Sequence, residues 1–147
     1  MTLQASFTVG TPSRAKKERL FHSDKIEIRK SPVHGYGVFA KDDITKGELL
    51  EECYYLEVGW SEEMGRYRFD FKDNQLGQTP LDENPEKMVI SLGFGSMYNA
   101  SLSGEENGSI NHDLDNEIFV FKSLKDIKKD EEILLEYDLE YETEDKI

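Results

Sequence analysis

Short runs of alternating apolar and polar residues recur along the chain, and they predict strands rather than helices. In the run at 25–30, Ile26 and Ile28 fall on one face while Glu27 and Arg29 fall on the other. This two-residue period is typical of a half-buried strand. Further strands are predicted at 36–40, 48–58, 66–71, 88–92, 118–121 and 133–137. Hardly any segment has a sustained helical period, so the pattern predicts a mostly β (α+β) domain.

Changes in composition divide the chain into three predicted parts. Residues 1–24 show no sustained period and include a basic patch, which predicts an N-terminal arm. Residues 25–138 hold all the predicted strands and form the predicted domain, with a polar, proline-containing loop at 73–87. Residues 139–147 are mostly charged and predict an acidic C-terminal tail.

The charge balance limits the kinds of partner the protein can take. The 147 residues include 31 acidic and 18 Lys or Arg side chains, for a formal net charge of −13. Such a surface repels phosphate backbones, so we expect no direct nucleic-acid binding. It attracts basic partners. Two interpretations remain open, namely charge that serves solubility alone and an acidic groove for a Lys-rich substrate.

Cysteine usage and the absence of long apolar runs indicate the compartment. The single cysteine, Cys53, excludes an internal disulfide and a multi-cysteine zinc cluster, so no metal site is expected. No run approaches the roughly 18 apolar residues of a membrane helix. The first ten residues lack the pattern of a signal peptide. We therefore expect an intracellular protein, cytoplasmic or nuclear, that neither enters a membrane nor is secreted.

The first candidate for chemistry is the turn Gly35-Tyr36-Gly37. Glycine permits positive φ and a close approach of the backbone to a ligand. Such a turn can place its amides and carbonyls around the amino and carboxylate ends of an amino-acid-like cofactor. Taken alone, it is also compatible with an ordinary β-turn. It is not a dinucleotide fingerprint, because neither a third glycine nor a helix follows.

Two later segments give this turn a more specific meaning. Residues 93–101 read GFGSMYNAS, and residues 123–137 read SLKDIKKDEEILLEY. Together with HGYGVFA at 34–40, their order and spacing resemble the SET domain of protein-lysine methyltransferases, over residues 25–138. This resemblance implies a β-clip fold of short sheets with a knot-like C-terminal crossing, which would bring the distant segments together.

The resemblance also implies roles for individual residues. The implied binding residues for S-adenosyl-L-methionine are Gly35, Tyr36, Gly37, Tyr98, Asn99 and Ala100. Ala100 stands where the family has a histidine, at a position that touches the adenine chiefly through its backbone. Tyr137 is the implied catalytic tyrosine, with its hydroxyl directed at the reacting centre. Tyr98 is the second catalytic candidate, lining the lysine channel or closing on the donor.

A methyltransferase of this kind needs a basic substrate and a closed lysine channel. The implied partner is a Lys-containing basic protein or peptide, to which the donor's methyl group is transferred. A nearby sulfonium and a desolvated channel would lower the pKa of the acceptor lysine, so no strong protein base is required. Because Cys-rich segments are absent, the chain has to complete the channel in another way, and the tail at 139–147 or a second copy in a homodimer could do so.

Two other functions stay open. A non-catalytic SET module that binds a basic partner is suggested by Ala100 and by the unusual loop at 102–106. An acidic interaction domain with an accidental motif match is the third hypothesis. A second Asn-His pair, Asn111-His112, has the wrong spacing for the family motif and falls on a strand or hairpin. We therefore interpret His112 as an ordinary surface histidine.

Overall fold

Ten short strands and a turn of 3-10 helix at 95–97 make up most of the regular structure of the described residues. The computed structural model describes residues 15–59, 62–63, 67–69, 87–101 and 103–136. The strands are β1 (Ile26–Lys30), β2 (Tyr36–Ala40), β3 (Leu49–Cys53), β4 (Tyr55–Gly59), β5 (Arg68–Phe69), β6 (Lys87–Ser91), β7 (Asn99–Ser101), β8 (Gly108–Asp113), β9 (Ile118–Ser123) and β10 (Leu134–Glu136). The helical turn spans Gly95–Met97. The predicted mostly β fold is confirmed.

The strands form three small sheets. The first is the hairpin of β1 and β2, whose register pairs Ile28 with Val38. The second has five strands in the order β3-β9-β8-β10-β7, and the third has three in the order β4-β6-β5. Side chains with no exposed surface join the hairpin to the five-stranded sheet; they include Val38, Leu50, Phe121 and Ile133. This close-packed core is a rigid support for the loops that join its strands.

Near the C-terminal end of the described residues, the chain crosses an earlier connection. Strand β10 lies between β7 and β8 and is parallel to both, with Leu135 paired to Ala100 on one side and to Gly108 on the other. The connection from β7 to β8 therefore has to pass across β10. This arrangement is the knot-like crossing that the sequence predicts.

Asn107 fixes this crossing with both its backbone and its side chain. Its backbone N–H donates to the Leu134 carbonyl at 3.0 Å, and its Oδ1 accepts from the Leu134 N–H at 2.7 Å. Its Nδ2 donates to the Glu132 carbonyl at 3.0 Å. A side chain that reproduces backbone pairing in this way holds β10 beside the start of β8.

The end of the predicted N-terminal arm pairs with β3. Ser23 N–H donates to the Leu50 carbonyl at 2.9 Å, and Glu52 N–H donates to the Phe21 carbonyl at 2.8 Å. This pairing covers the edge of β3 that β9 leaves free. The rest of the arm, at 1–14, and the acidic tail, at 139–147, lie outside the described residues.

In the part of the chain that the structure describes, no helix has the length and apolar character needed to cross a bilayer.

Candidate functional site

The turn at residues 35–37 is packed against the strands below it. Gly35 has a φ of +49°, in the left-handed region that favours glycine, and no heavy atom lies within 4 Å of where its Cβ would be. At Gly37, by contrast, a Cβ would overlap Glu132 Oε2 and come within 2.8 Å of Asn99 Nδ2. Gly35 therefore permits the backbone conformation of the turn. Gly37 permits the turn to pack closely against Glu132 and Asn99. Between the two glycines, Tyr36 is exposed.

Asn99 is held directly beneath this turn. Its Nδ2 lies 2.8 Å from Glu132 Oε2, 3.1 Å from the His34 carbonyl, 3.2 Å from Ser31 Oγ and 3.3 Å from the Tyr36 carbonyl. Carboxylate and carbonyl oxygens can only accept hydrogen bonds, so they fix which end of the amide faces them. No described residue donates to Asn99 Oδ1. The amide is therefore held in one orientation.

Glu132 and Ser31 complete the cluster, and sequence reasoning missed both. Ser31 Oγ lies 2.9 Å from each carboxylate oxygen of Glu132 and accepts from the Val33 N–H at 2.9 Å. The result is a partly buried negative charge next to Gly37. The two side chains are 101 residues apart in sequence, and the pairing of residues 131–133 with β2 brings them together. The one available signal was the position of Glu132 inside the segment at 123–137.

Tyr98 lies in the core just before Asn99. Its ring stacks on that of Phe121, with centroids 4.7 Å apart and planes 6° apart, and 8% of its surface is exposed. Its hydroxyl donates to Glu51 Oε1 at 2.8 Å. Burial and the negative charge of Glu51 raise the pKa of Tyr98 well above its usual value. In this structure the Tyr98 hydroxyl therefore donates its hydrogen bond to a buried carboxylate.

The remaining predicted site residues are placed by the five-stranded sheet. Ala100 lies in β7, half-buried, opposite Leu135 in β10. Tyr137 lies outside the described residues. The residue before it, Glu136, pairs with Ser101, two positions after Asn99. The described backbone therefore brings the last strand next to the segment that carries Asn99.

The one cysteine of the chain, Cys53, is another side chain with potential reactivity. Cys53 is buried, and burial together with the nearby charge of Glu51 raises the pKa of its thiol, which makes it a poor nucleophile. Within the described residues, no three His, Cys, Asp or Glu side chains are grouped so that they could hold a metal ion.

His112 is half-buried rather than an ordinary surface residue, so that interpretation was wrong. Its Nε2 lies 3.0 Å from the Tyr55 hydroxyl, and its ring packs edge-on against Tyr55 and Phe119. Burial lowers the pKa of His112, although the charges of Asp113 and Glu117 act in the opposite direction. These contacts tie β8 to β4, so His112 belongs to the packing between two sheets.

The lowered pKa of His112 predicts a pH dependence of stability. The unfolded chain binds this proton more readily than the folded one, so stability falls as the pH drops below about 6.5. When the pH is lowered from about 7.5 to about 5.5, we expect the thermal unfolding midpoint of His112→Gln to fall less than that of wild type. The matched control is His34→Gln, at an exposed position. Identical pH profiles for wild type and His112→Gln would contradict the prediction.

Comparison with known proteins identifies the fold. The family model for the SET domain matches residues 35–138. The structure is similar to the crystal structure of a candidate histone methyltransferase from Plasmodium falciparum, with a TM-score of 0.60, 26% identity, and coverage of 79% of this chain and 95% of that one. It is also similar in fold to the methyltransferase domain of human PR domain-containing protein 2, with a TM-score of 0.54, 19% identity, and coverage of 79% and 78%. No curated protein matches the chain.

The matched region includes both the glycine turn and the crossed C-terminal strand. Family and neighbours support a protein methyltransferase in general. Since the family model covers well over half of the sequence and the fold agrees with it, this chain belongs to the SET domain family.

Proposed function

We propose that the protein transfers a methyl group from S-adenosyl-L-methionine to a lysine side chain of a protein substrate. The observation that carries the proposal is the fixed amide of Asn99, whose Oδ1 faces away from four acceptors clustered at the glycine turn. Family membership adds the reaction class. The bound donor would supply an electrophilic methyl group on a sulfonium.

The residues at the turn suit the amino-acid end of such a donor. An ammonium group needs hydrogen-bond acceptors, and in this proposal it donates to Asn99 Oδ1, while the carbonyls of His34 and Tyr36 hold the amide in place through Nδ2. The Glu132 carboxylate accepts a hydrogen bond from the Nδ2 of the same Asn99 amide. Its negative charge favours a cationic ligand. In this proposal Gly35 and Gly37 shape the turn around the ligand, and Tyr36 and Ala100 contribute backbone contacts.

The acceptor lysine has to be neutral in order to attack the methyl group. The protein can favour the neutral form of this lysine without a strong base. A desolvated channel next to a cation disfavours the ammonium form of the lysine. In the proposal, Tyr137 orients the amine through its hydroxyl. Completion of the channel by the tail at 139–147, or by a second copy in a homodimer, stays a prediction. The net charge of −13 favours basic substrates by attraction at long range.

A non-catalytic SET module that binds a basic protein is the second candidate. The substitution that favours it is Ala100, which lacks the imidazole found in the family at that position. Donor binding separates the two functions, because the enzyme requires a donor site and the binding module does not. A thermal shift with S-adenosylhomocysteine detects such a site, since a ligand that binds only the folded state stabilises it.

The direct test is transfer of a labelled methyl group. The protein is incubated with donor carrying a deuterated methyl group and with a Lys-rich basic protein, and modified residues are identified by mass spectrometry. We expect label on lysine with wild type, and loss of label with Asn99→Ala, which removes the oriented amide. Glu131→Gln, an exposed neighbour of Glu132, is the matched control and should label like wild type. Wild-type protein that shows no thermal shift with S-adenosylhomocysteine and labels no lysine in any basic substrate would favour the binding module.

A further inference from the structure

Strand β3 contains a buried carboxylate that the proposed reaction does not use. Glu51 has 1% of its surface exposed, whereas the adjacent Glu52 is partly exposed and pairs with Lys17 at 2.7 Å. Removing a carboxylate from water is costly unless hydrogen-bond donors replace the water. The donors that satisfy Glu51 therefore indicate what its burial achieves.

Two of these donors lie at the two ends of the helical turn Gly95–Met97. Tyr98, the C-terminal cap residue, donates its hydroxyl to Glu51 Oε1 at 2.8 Å. Phe94, the N-terminal cap residue, donates its backbone N–H to Glu51 Oε2 at 3.3 Å. A single carboxylate thus holds both ends of the turn that leads into Asn99.

A third partner comes from the N-terminal segment at 21–23. His22 Nδ1 lies 3.3 Å from Glu51 Oε2, and the imidazole ring packs edge-on against Phe94 with centroids 4.6 Å apart. The backbone of the same segment pairs with β3. His22 is 45% exposed, so Glu51 connects a surface segment to the turn that precedes Asn99.

We infer that Glu51 is a positioning residue for the donor site, which fixes residues 94–98 and couples donor affinity to the docking of residues 21–23 on β3. This inference rests on the proposed function, because Asn99 is the group being positioned. Tyr98 then acts on the donor through the backbone that it shares with Asn99. Its ring, stacked on Phe121, and its hydroxyl, bonded to Glu51, leave that backbone little freedom.

The test is calorimetric titration of the full chain with S-adenosylhomocysteine. Tyr98→Phe keeps the ring stack and removes the bond to Glu51, and we expect the dissociation constant to rise about tenfold with unchanged stoichiometry. Glu51→Gln should have a similar effect, because Tyr98 and Phe94 donate to two different oxygens of the carboxylate and a carboxamide has only one. His22→Ala should give a smaller rise, about threefold.

Controls separate positioning from loss of folded protein. Ile127→Val removes one methylene from a core residue that pairs with Ile44, and it should lower the unfolding midpoint without changing the dissociation constant. A variant that acts only on stability lowers the fraction of competent protein, which calorimetry reports as reduced stoichiometry. Wild-type affinity in both Tyr98→Phe and Glu51→Gln would overturn the inference while leaving the proposed function intact. Wild-type protein that binds no donor would overturn both.

Discussion

Replacing Gly37 with alanine is expected to raise the dissociation constant for the methyl donor at least about a hundredfold. The added methyl group would overlap Glu132 Oε2 and lie 2.8 Å from Asn99 Nδ2. Neither group can move away freely, because Ser31 holds the carboxylate and the turn carbonyls hold the amide. The alanine therefore displaces either the turn or Asn99. Calorimetry with S-adenosylhomocysteine measures the loss.

Gly35→Ala is the matched control for this prediction. A Cβ at Gly35 meets no atom within 4 Å, so the substitution introduces only the strain of a φ of +49°, roughly 1 kcal/mol. We expect donor affinity to fall less than about tenfold. Equal losses for the two variants would show that the shape of the turn matters and that packing against Glu132 does not.

Tyr137→Phe is expected to lower kcat at least about a hundredfold while the donor's dissociation constant changes less than about twofold. The proposed role of the hydroxyl is to orient the amine as it attacks, a contribution made at the reacting centre and not to the donor's binding. Phenylalanine keeps the aromatic ring and removes only the hydroxyl. Steady-state kinetics at saturating donor, together with calorimetry, separates the two effects.

A second tyrosine provides the control for Tyr137. The Tyr55 hydroxyl bonds to His112 at 3.0 Å, between two sheets, and takes no part in the cluster around Asn99. Tyr55→Phe should therefore leave kcat close to the wild-type value. Full activity of Tyr137→Phe would remove this tyrosine from the proposed mechanism. A parallel loss of donor binding would assign it a role in holding the ligand instead.

The local sequence patterns predicted where strands occur but not which strands pair with one another. The predicted strand at 36–40 matches β2 in full, and the period at 25–30 matches β1 to within one residue. The single run predicted at 48–58 is instead two strands, because the chain passes from one sheet to another at Tyr54. The residues at 53–56 form an unbroken apolar and aromatic run across that point, and such a run contains no information about which strand lies alongside.

The motifs predicted part of the site, and the fold supplied the rest. The structure brings the glycine turn and Asn99 within hydrogen-bonding distance, although they lie more than 60 residues apart. Glu132 and Glu51 could not be identified in advance, since acidic residues are usually solvated. Their burial depends on donors supplied by distant segments, such as Ser31 for Glu132 and Tyr98 for Glu51.

A crystal structure of the protein with S-adenosylhomocysteine would test the proposed donor site most directly. We expect the ligand's amino nitrogen about 3 Å from Asn99 Oδ1, with Asn99 Nδ2 still bonded to Glu132. A ligand bound away from residues 35–37, or an Asn99 amide turned so that Nδ2 faces the ligand, would contradict the proposal.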